Sequence, residues 1–360
     1  MKYFSLFALI LSCSLFPVSV FGLPLDSRPI RVGFVYPGQV GAFGWSFQHD
    51  QGRRAVEEHF GDRVITSYVE SVPSGADAEH ALSLFARQGY DLVFAASFDF
   101  MDPTLTVAAR FPHTRFENAM GYFSAPNVAV YGIRFHEGRA ILGTIAAHVT
   151  RSNIIGYVAA LPVPEVIRGI NAFTLALRRL NPNAVVKVIF VNAWYDPGKE
   201  RAVAERLVEM GADVLIQHTD SSVVVQLAEE RGVMVFGKSS DMSRFGPNSQ
   251  LTATVDHWGD YYIHRVQAVL DGAWEPGIFL GGVQSNMIRI APFSAAVGPA
   301  ARRDVYAMQD GLQRGTFFPF CGPVRNQAGA LVVKEGECLT EARIRIMNWF
   351  VEGVQGDPGY

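Results

Sequence analysis

Aromatic, histidine and carboxylate residues recur in this 360-residue sequence at one kind of place, just after short apolar, β-branched runs. Gly44-Trp-Ser-Phe-Gln-His carries Trp45, Ser46, Phe47 and His49, and Ser97-Phe-Asp-Phe carries Phe98 and Asp99. Trp194 and Tyr195 precede Asp196-Pro197, and Asn118, His218, Asp220, Asp241 and Trp258 hold comparable positions further along. A ring beside Gly or polar residues in a loop is exposed unless something covers it. Flat aromatic walls with a few carboxylates and amides suit a planar, hydrogen-bonding heterocycle. The competing reading is that these rings pack against their own loops, and that Asp196 caps a helix begun by Pro197.

Catalytic chemistry has less support. His49, His218 and His257 could act as bases beside Asp99, Asp196 or Asp241, but G-x-S-x-G and H-E-x-x-H are both missing. Gly232-Val-Met-Val-Phe-Gly-Lys-Ser formally matches a phosphate-binding loop. Its four middle residues read as a buried strand, however, and Phe245-Gly-Pro-Asn is a turn where a helix should follow. Gly38, Gly41 and Gly44 do not form G-x-G-x-x-G. No catalytic residue, metal site or cofactor is expected. With 31 Lys+Arg against 34 Asp+Glu and no basic run, a nucleic-acid partner has no electrostatic footprint.

The elements that must position these residues follow from periodicity. Strands are expected at Ile30–Tyr36, Val64–Val69, Asp91–Ala96, Arg115–Met120 and Val128–Ile133, with helices at His49–Phe60, Glu79–Gln88 and Thr104–Phe111. The pattern repeats with strands at Ile154–Ala159, Val185–Val191, Asp213–Gln217 and Val233–Phe236. Its helices are Val166–Leu180, Glu200–Met210 and Val223–Glu230. Gly33 to Asp91 spans 58 positions and Gly156 to Asp213 spans 57, so two similar βαβαβ units are present. This is an α/β chain with two doubly wound parallel-sheet lobes. Ligands of such sheets bind beyond the carboxyl ends of the strands, where the aromatic loops lie.

The N-terminus, Met1-Lys2 followed by an apolar run to Phe21 and then Gly22, reads as a signal peptide over residues 1–22. Cys13 loosely resembles a lipoprotein box, a weaker alternative. The mature protein is expected in the periplasm or at the cell surface. Export leaves two cysteines, Cys321 and Cys338, which an oxidising compartment would pair as a disulfide. Two unpaired buried thiols are the alternative.

Several motifs together resemble the basic membrane protein (BMP) family of substrate-binding proteins, whose characterised members bind purine nucleosides or bases for ABC importers. They are Ser46-Phe-Gln, Phe135-His-Glu-Gly with Leu142-Gly, Trp194-Tyr-Asp-Pro-Gly-Lys-Glu, Ala212-Asp-Val-Leu-Ile-Gln-His and Ser239-Ser-Asp. The resemblance implies a type I periplasmic binding protein fold with three chain crossings between lobes. These are expected near Ile133–His136, Val255–Asp256 and Gly281–Ser285. Lobe 1 would then hold residues 30–134 and 256–283, and lobe 2 residues 135–255 and 284–350. The family pattern makes Phe47 a base-stacking ring and Asp241 a polar ligand contact. Two positions depart from it. Gly44 stands where the family often has Asp, and Leu251-Thr-Ala-Thr-Val-Asp-His-Trp lacks a frequent Lys. The departures favour a purine nucleobase over a nucleoside. The expected partners are that solute and an ABC permease in the inner membrane, and the expected state is a monomer. A ligand sensor on the same fold is the alternative, with a nucleoside hydrolase behind it.

Overall fold

The computed structural model describes residues 28–359, so the expected signal peptide and Cys13 lie outside the described residues. The first half alternates strand and helix: β1 (Ile30–Val35), α1 (Gly44–Phe60), β2 (Val64–Val69), α2 (Ala76–Arg87), β3 (Leu92–Ala95), α3 (Met101–Arg110), β4 (Arg115–Ala119) and β5 (Val128–Ile133). The second half continues with α4 (Phe135–Val149), β6 (Ile154–Ala159), α5 (Pro164–Leu180), β7 (Val185–Phe190), α6 (Pro197–Glu209), β8 (Val214–Gln217), α7 (Val223–Arg231), β9 (Met234–Gly237) and β10 (Gln250–Asp256). Next come α8 (Gly259–Leu270), β11 (Ile278–Gly281), β12 (Ile288–Ile290) and α9 (Pro299–Arg314). A hairpin of β13 (Val324–Arg325) and β14 (Leu331–Val333), then α10 (Glu341–Arg345) and β15 (Val354–Gln355), form a C-terminal appendage.

One sheet has the order β11-β5-β4-β3-β1-β2 and is wholly parallel. The other has the order β12-β10-β9-β8-β6-β7-β15, with β12 antiparallel at its edge. Strands such as β3, with all four residues buried, are apolar throughout because helices cover both faces of each sheet. The appendage is built into the second lobe. β15 extends the sheet beside β7, and Phe320, Val324, Met347 and Phe350 join the core under α4 and α5. Cys321 and Cys338 are joined in a disulfide within it.

Five helices begin earlier than periodicity suggested, α5 and α6 from a proline and, in the first lobe, α1 at Gly44, α2 at Ala76 and α3 at Met101 without one. The N-cap residues of these last three, Phe43, Gly75 and Phe100, offer no side-chain cap, so the usual Ser/Thr/Asp/Asn signal is missing. The shift in α1 matters most, because it places Trp45, Ser46 and Phe47 on a helix instead of a loop.

The chain passes between the sheets after β5, after β10 and after β11. These passages are laced together. Arg134 N–H donates to the Gly281 carbonyl at 2.7 Å, and His257 N–H to the Met287 carbonyl at 2.9 Å. The buried Glu137 carboxylate accepts the Val283 N–H at 2.7 Å and faces the Arg134 guanidinium at 3.3 Å. Gly282 lies close beside it: a Cβ there would sit 2.1 Å from a Glu137 carboxylate oxygen, so a side chain at 282 would displace the carboxylate.

The tightest helix contact is α4 against α5. A Cβ at Gly143 would sit 2.2 Å from the Phe173 carbonyl oxygen, on backbone that cannot step aside. Gly143→Ala should therefore destabilise the protein by about 1–3 kcal/mol through overpacking, despite the better helix propensity of Ala. Urea unfolding measures this, and a midpoint equal to wild type would contradict the contact.

Candidate ligand-binding cleft

The loops at the carboxyl ends of the two sheets face each other and enclose a cavity of about 680 Å³. Its aromatic lining includes Trp45 and Phe98 from the first lobe, Trp194 from the second, and Phe135 at the passage between them. Trp45 projects from the first turn of α1, and its indole N–H donates to the Ala96 carbonyl at 2.7 Å. Phe98 sits in the turn after β3, where the Ser97 side chain accepts the Asp99 N–H. The Trp194 indole N–H reaches across the cleft to Asp99 Oδ2 at 2.9 Å, a hydrogen bond between lobes. Ser240 makes a second link, its hydroxyl accepting the Gly44 N–H and the Gln48 amide, each at 2.9 Å.

The polar floor comes from the second lobe. Lys238, just past β9, is buried, donates to the Asp220 carboxylate and lies 5.7 Å from the centre of the Trp45 ring. Glu165, in the first turn of α5, approaches His218 Nε2 at 3.4 Å. Burial pushes the Glu165 carboxyl up, against the pull of Arg168, Lys238 and Arg139. Burial likewise raises Asp99; the Trp194 hydrogen bond opposes this and the Glu165 charge adds to it. His218 is held well below the usual imidazole range by burial and then by Arg139 and Lys238, so it is neutral at pH 7. The floor thus offers carboxylate acceptors, one ammonium group and a neutral imidazole to whatever lies between the rings.

Of the residues marked in the sequence, Trp45, Ser46, Phe98, Asp99, Trp194, Tyr195, His218 and Asp220 line this cavity. Phe47, His49, Asn118, Asp196, Asp241 and Trp258 do not. Helical geometry separates Trp45 from Phe47: residues two apart on a helix point about 200° apart, so the two rings cannot share one wall. Phe47 is half-buried outside the lining. His49 is fully buried, stacked on Trp258 at 4.3 Å between ring centres, with Nδ1 hydrogen-bonded to the Tyr262 hydroxyl. Trp258 packs edge-on against Trp45 at 5.3 Å, so His49 and Trp258 brace the cleft wall from behind. Asn118 holds the Phe98 turn by donating to the Ser97 carbonyl at 3.0 Å. Asp241 is exposed and closes a turn, accepting the Ser243 N–H at 2.9 Å and the Gln250 amide at 2.8 Å. Asp196 caps α6 through the Lys199 N–H at 3.0 Å. Glu165 and Lys238 also line the cavity and were not singled out as ligand contacts.

Comparison with known proteins follows this geometry. Residues 30–300 match the model of the Bmp family, described as ABC transporter substrate-binding protein PnrA-like. The chain belongs to this family. A purine-binding protein of Brucella abortus is 44% identical over 325 residues, covering 90% of this chain and 93% of its own. A Haloferax volcanii protein, named as an ABC transporter glucose-binding protein, is 34% identical over 93% of this chain and 83% of its own length. Among solved structures, an ABC transporter solute-binding protein from Aeropyrum pernix superposes with a TM-score of 0.69 at 18% identity, over 82% of this chain and 94% of that one. The fold is that of the type I periplasmic binding proteins, as the family motifs implied.

Behind the floor, where β10 ends, the fully buried Asp256 is pushed up to about 6 by burial, with Lys238 pulling the other way. A carboxyl raised in the folded state favours folding while protonated. That contribution is complete below about pH 4 and is lost as the pH rises through 6. Asp256→Asn should remove this dependence. Relative to wild type, the variant should gain on the order of 3 kcal/mol between pH 4 and pH 7. Parallel denaturation curves for the two proteins at both pH values would show the carboxyl to be unperturbed.

Proposed function

We propose that the protein is the exported solute receptor of an ABC importer and that its solute is a purine, a free nucleobase ahead of a nucleoside. The observation that carries this reading is a cleft walled by Trp45, Phe98 and Trp194 and floored by Glu165, His218, Asp220 and Lys238, in a chain 44% identical to a purine-binding protein. A planar base between aromatic walls gains stacking energy without regard to orientation. The carboxylates and the ammonium then choose its edge, because a buried donor or acceptor left without a partner is costly. A pocket of rings and fixed acceptors has no need of chemical turnover, which fits a receptor better than a hydrolase. Among the described residues no helix is long and apolar enough to cross a membrane. As in the family's ABC importers, the receptor would hand its solute to a separate permease in the inner membrane.

Calorimetric titration with adenine, guanine, adenosine, guanosine and glucose tests the reading. Wild type should bind at least one purine and prefer the base. Trp45→Ala should weaken binding by roughly 5- to 150-fold, the range of base–aromatic stacking, while Phe47→Ala should leave affinity near wild type. Binding of glucose alone would move the assignment to the sugar class named for the Haloferax relative. Loss of affinity in Phe47→Ala with Trp45→Ala unaffected would overturn the site.

A further inference from the structure

The matched family span ends at residue 300, yet the C-terminal appendage touches both lobes. It is anchored in the second. The Asn171 side chain on α5 accepts the Val351 N–H at 3.0 Å and donates to the Trp349 carbonyl at 2.7 Å, and Ile344 of α10 is buried in that lobe's core. It also reaches the first lobe. Arg345, at the end of α10, donates to the Tyr122 carbonyl at 3.4 Å and sets its guanidinium 5.6 Å from the centre of the Tyr122 ring. Tyr122 lies in the loop after β4 and meets the cleft ring Phe98 edge-to-face at 5.7 Å. Arg345, Tyr122 and Phe98 thus form a chain from the appendage to the aromatic wall, and its first link spans the two lobes.

From this we infer that Arg345 is a positioning residue for solute binding: it fastens the appendage to the first lobe when the cleft is shut and, through Tyr122, holds Phe98 against the solute. The inference rests on the purine reading for its ligand but not for its geometry. Lobes that separate part Arg345 from Tyr122, since Arg345 is anchored in the second lobe and Tyr122 lies in the first. A charge-assisted hydrogen bond together with a cation–aromatic contact favours the closed state, and a contact made only in that state acts on the rate of release.

The test uses the full mature chain with its disulfide intact, because the appendage fills part of the core and its removal would threaten folding. Arg345→Ala should bind purine roughly five- to tenfold more weakly, almost entirely through faster dissociation, with an unchanged melting temperature. Arg345→Lys, which keeps a cation over the ring, should restore most of the loss. Ile346→Ala, at an exposed neighbour, should match wild type. A second readout needs no solute. Spin labels introduced by Asp62→Cys and Ala202→Cys, one on each lobe, should report a distance distribution that Arg345→Ala shifts away from the closed separation. Should wild type bind no purine, the proposed function fails and the label distances alone decide this inference. Equal dissociation rates and equal distances in wild type and Arg345→Ala would overturn it. So would a loss of affinity that follows the folded fraction.

Discussion

Two sheets share one cavity only if the chain between them bends without coming apart, and in this molecule Glu137 meets that constraint. Its carboxylate sits at the start of α4, accepts a backbone N–H from the passage after β11 and faces an arginine from the passage after β5. Burial raises this carboxyl, and the Val283 N–H and the Arg134 charge hold it down again. A side chain at 282 would push this carboxylate from its place. A joint made of short backbone hydrogen bonds and one braced carboxylate can rotate while keeping the strand ends of both lobes opposed. The aromatic walls, the polar floor and the reach of the appendage all presuppose that opposition.

The division of labour between lobes follows from the local chain. The first lobe contributes rings on short turns and a helix start, braced from behind by His49, Trp258 and Tyr262. The second contributes charge: Lys238 and Asp220 as a pair, and Glu165 among Arg139, Arg168 and Lys238. Buried charges of this kind are costly unless each has a partner close by, and here the partners lie within the same lobe. Each lobe can therefore keep its half of the site intact while the cleft is open. Closing the cleft brings the aromatic half against the charged half without building either anew.

Much of this was legible in the sequence because strand period, glycine stops and the 58- and 57-residue repeat all reported the same fold. The strand-end rule also found the cleft and eight of its lining residues. It failed where an element boundary was wrong. Nothing at Phe43 announces a helix, so Trp45 and Phe47 read as a pair in a loop, and a helix turns the second ring away. It also passed over Glu165 and Lys238 as ligand candidates. Lys238 sits in a stretch resembling a phosphate loop that the structure shows to be β9 and its end. Asp241 illustrates the converse: a carboxylate in the expected place whose Oδ1 closes its own turn, outside the cavity lining. The substitution of Gly44 for the family's frequent Asp becomes intelligible only in three dimensions. Its φ of +85° is a backbone conformation that strains any side chain, so glycine suits the turn that starts α1.

The Trp194–Asp99 and Gly44–Ser240 hydrogen bonds have fixed lengths, and both join the lobes. A solute that keeps the lobes even one ångström too far apart forfeits both at once, because hydrogen bonds weaken steeply with distance. On the proposed function the cleft would work as a caliper. It would measure thickness before any polar group on the solute is read, passing flat molecules and refusing puckered or branched ones that carry the same donors and acceptors. Selection of this kind needs no contact specific to the rejected molecule, only two short bonds that it prevents from forming.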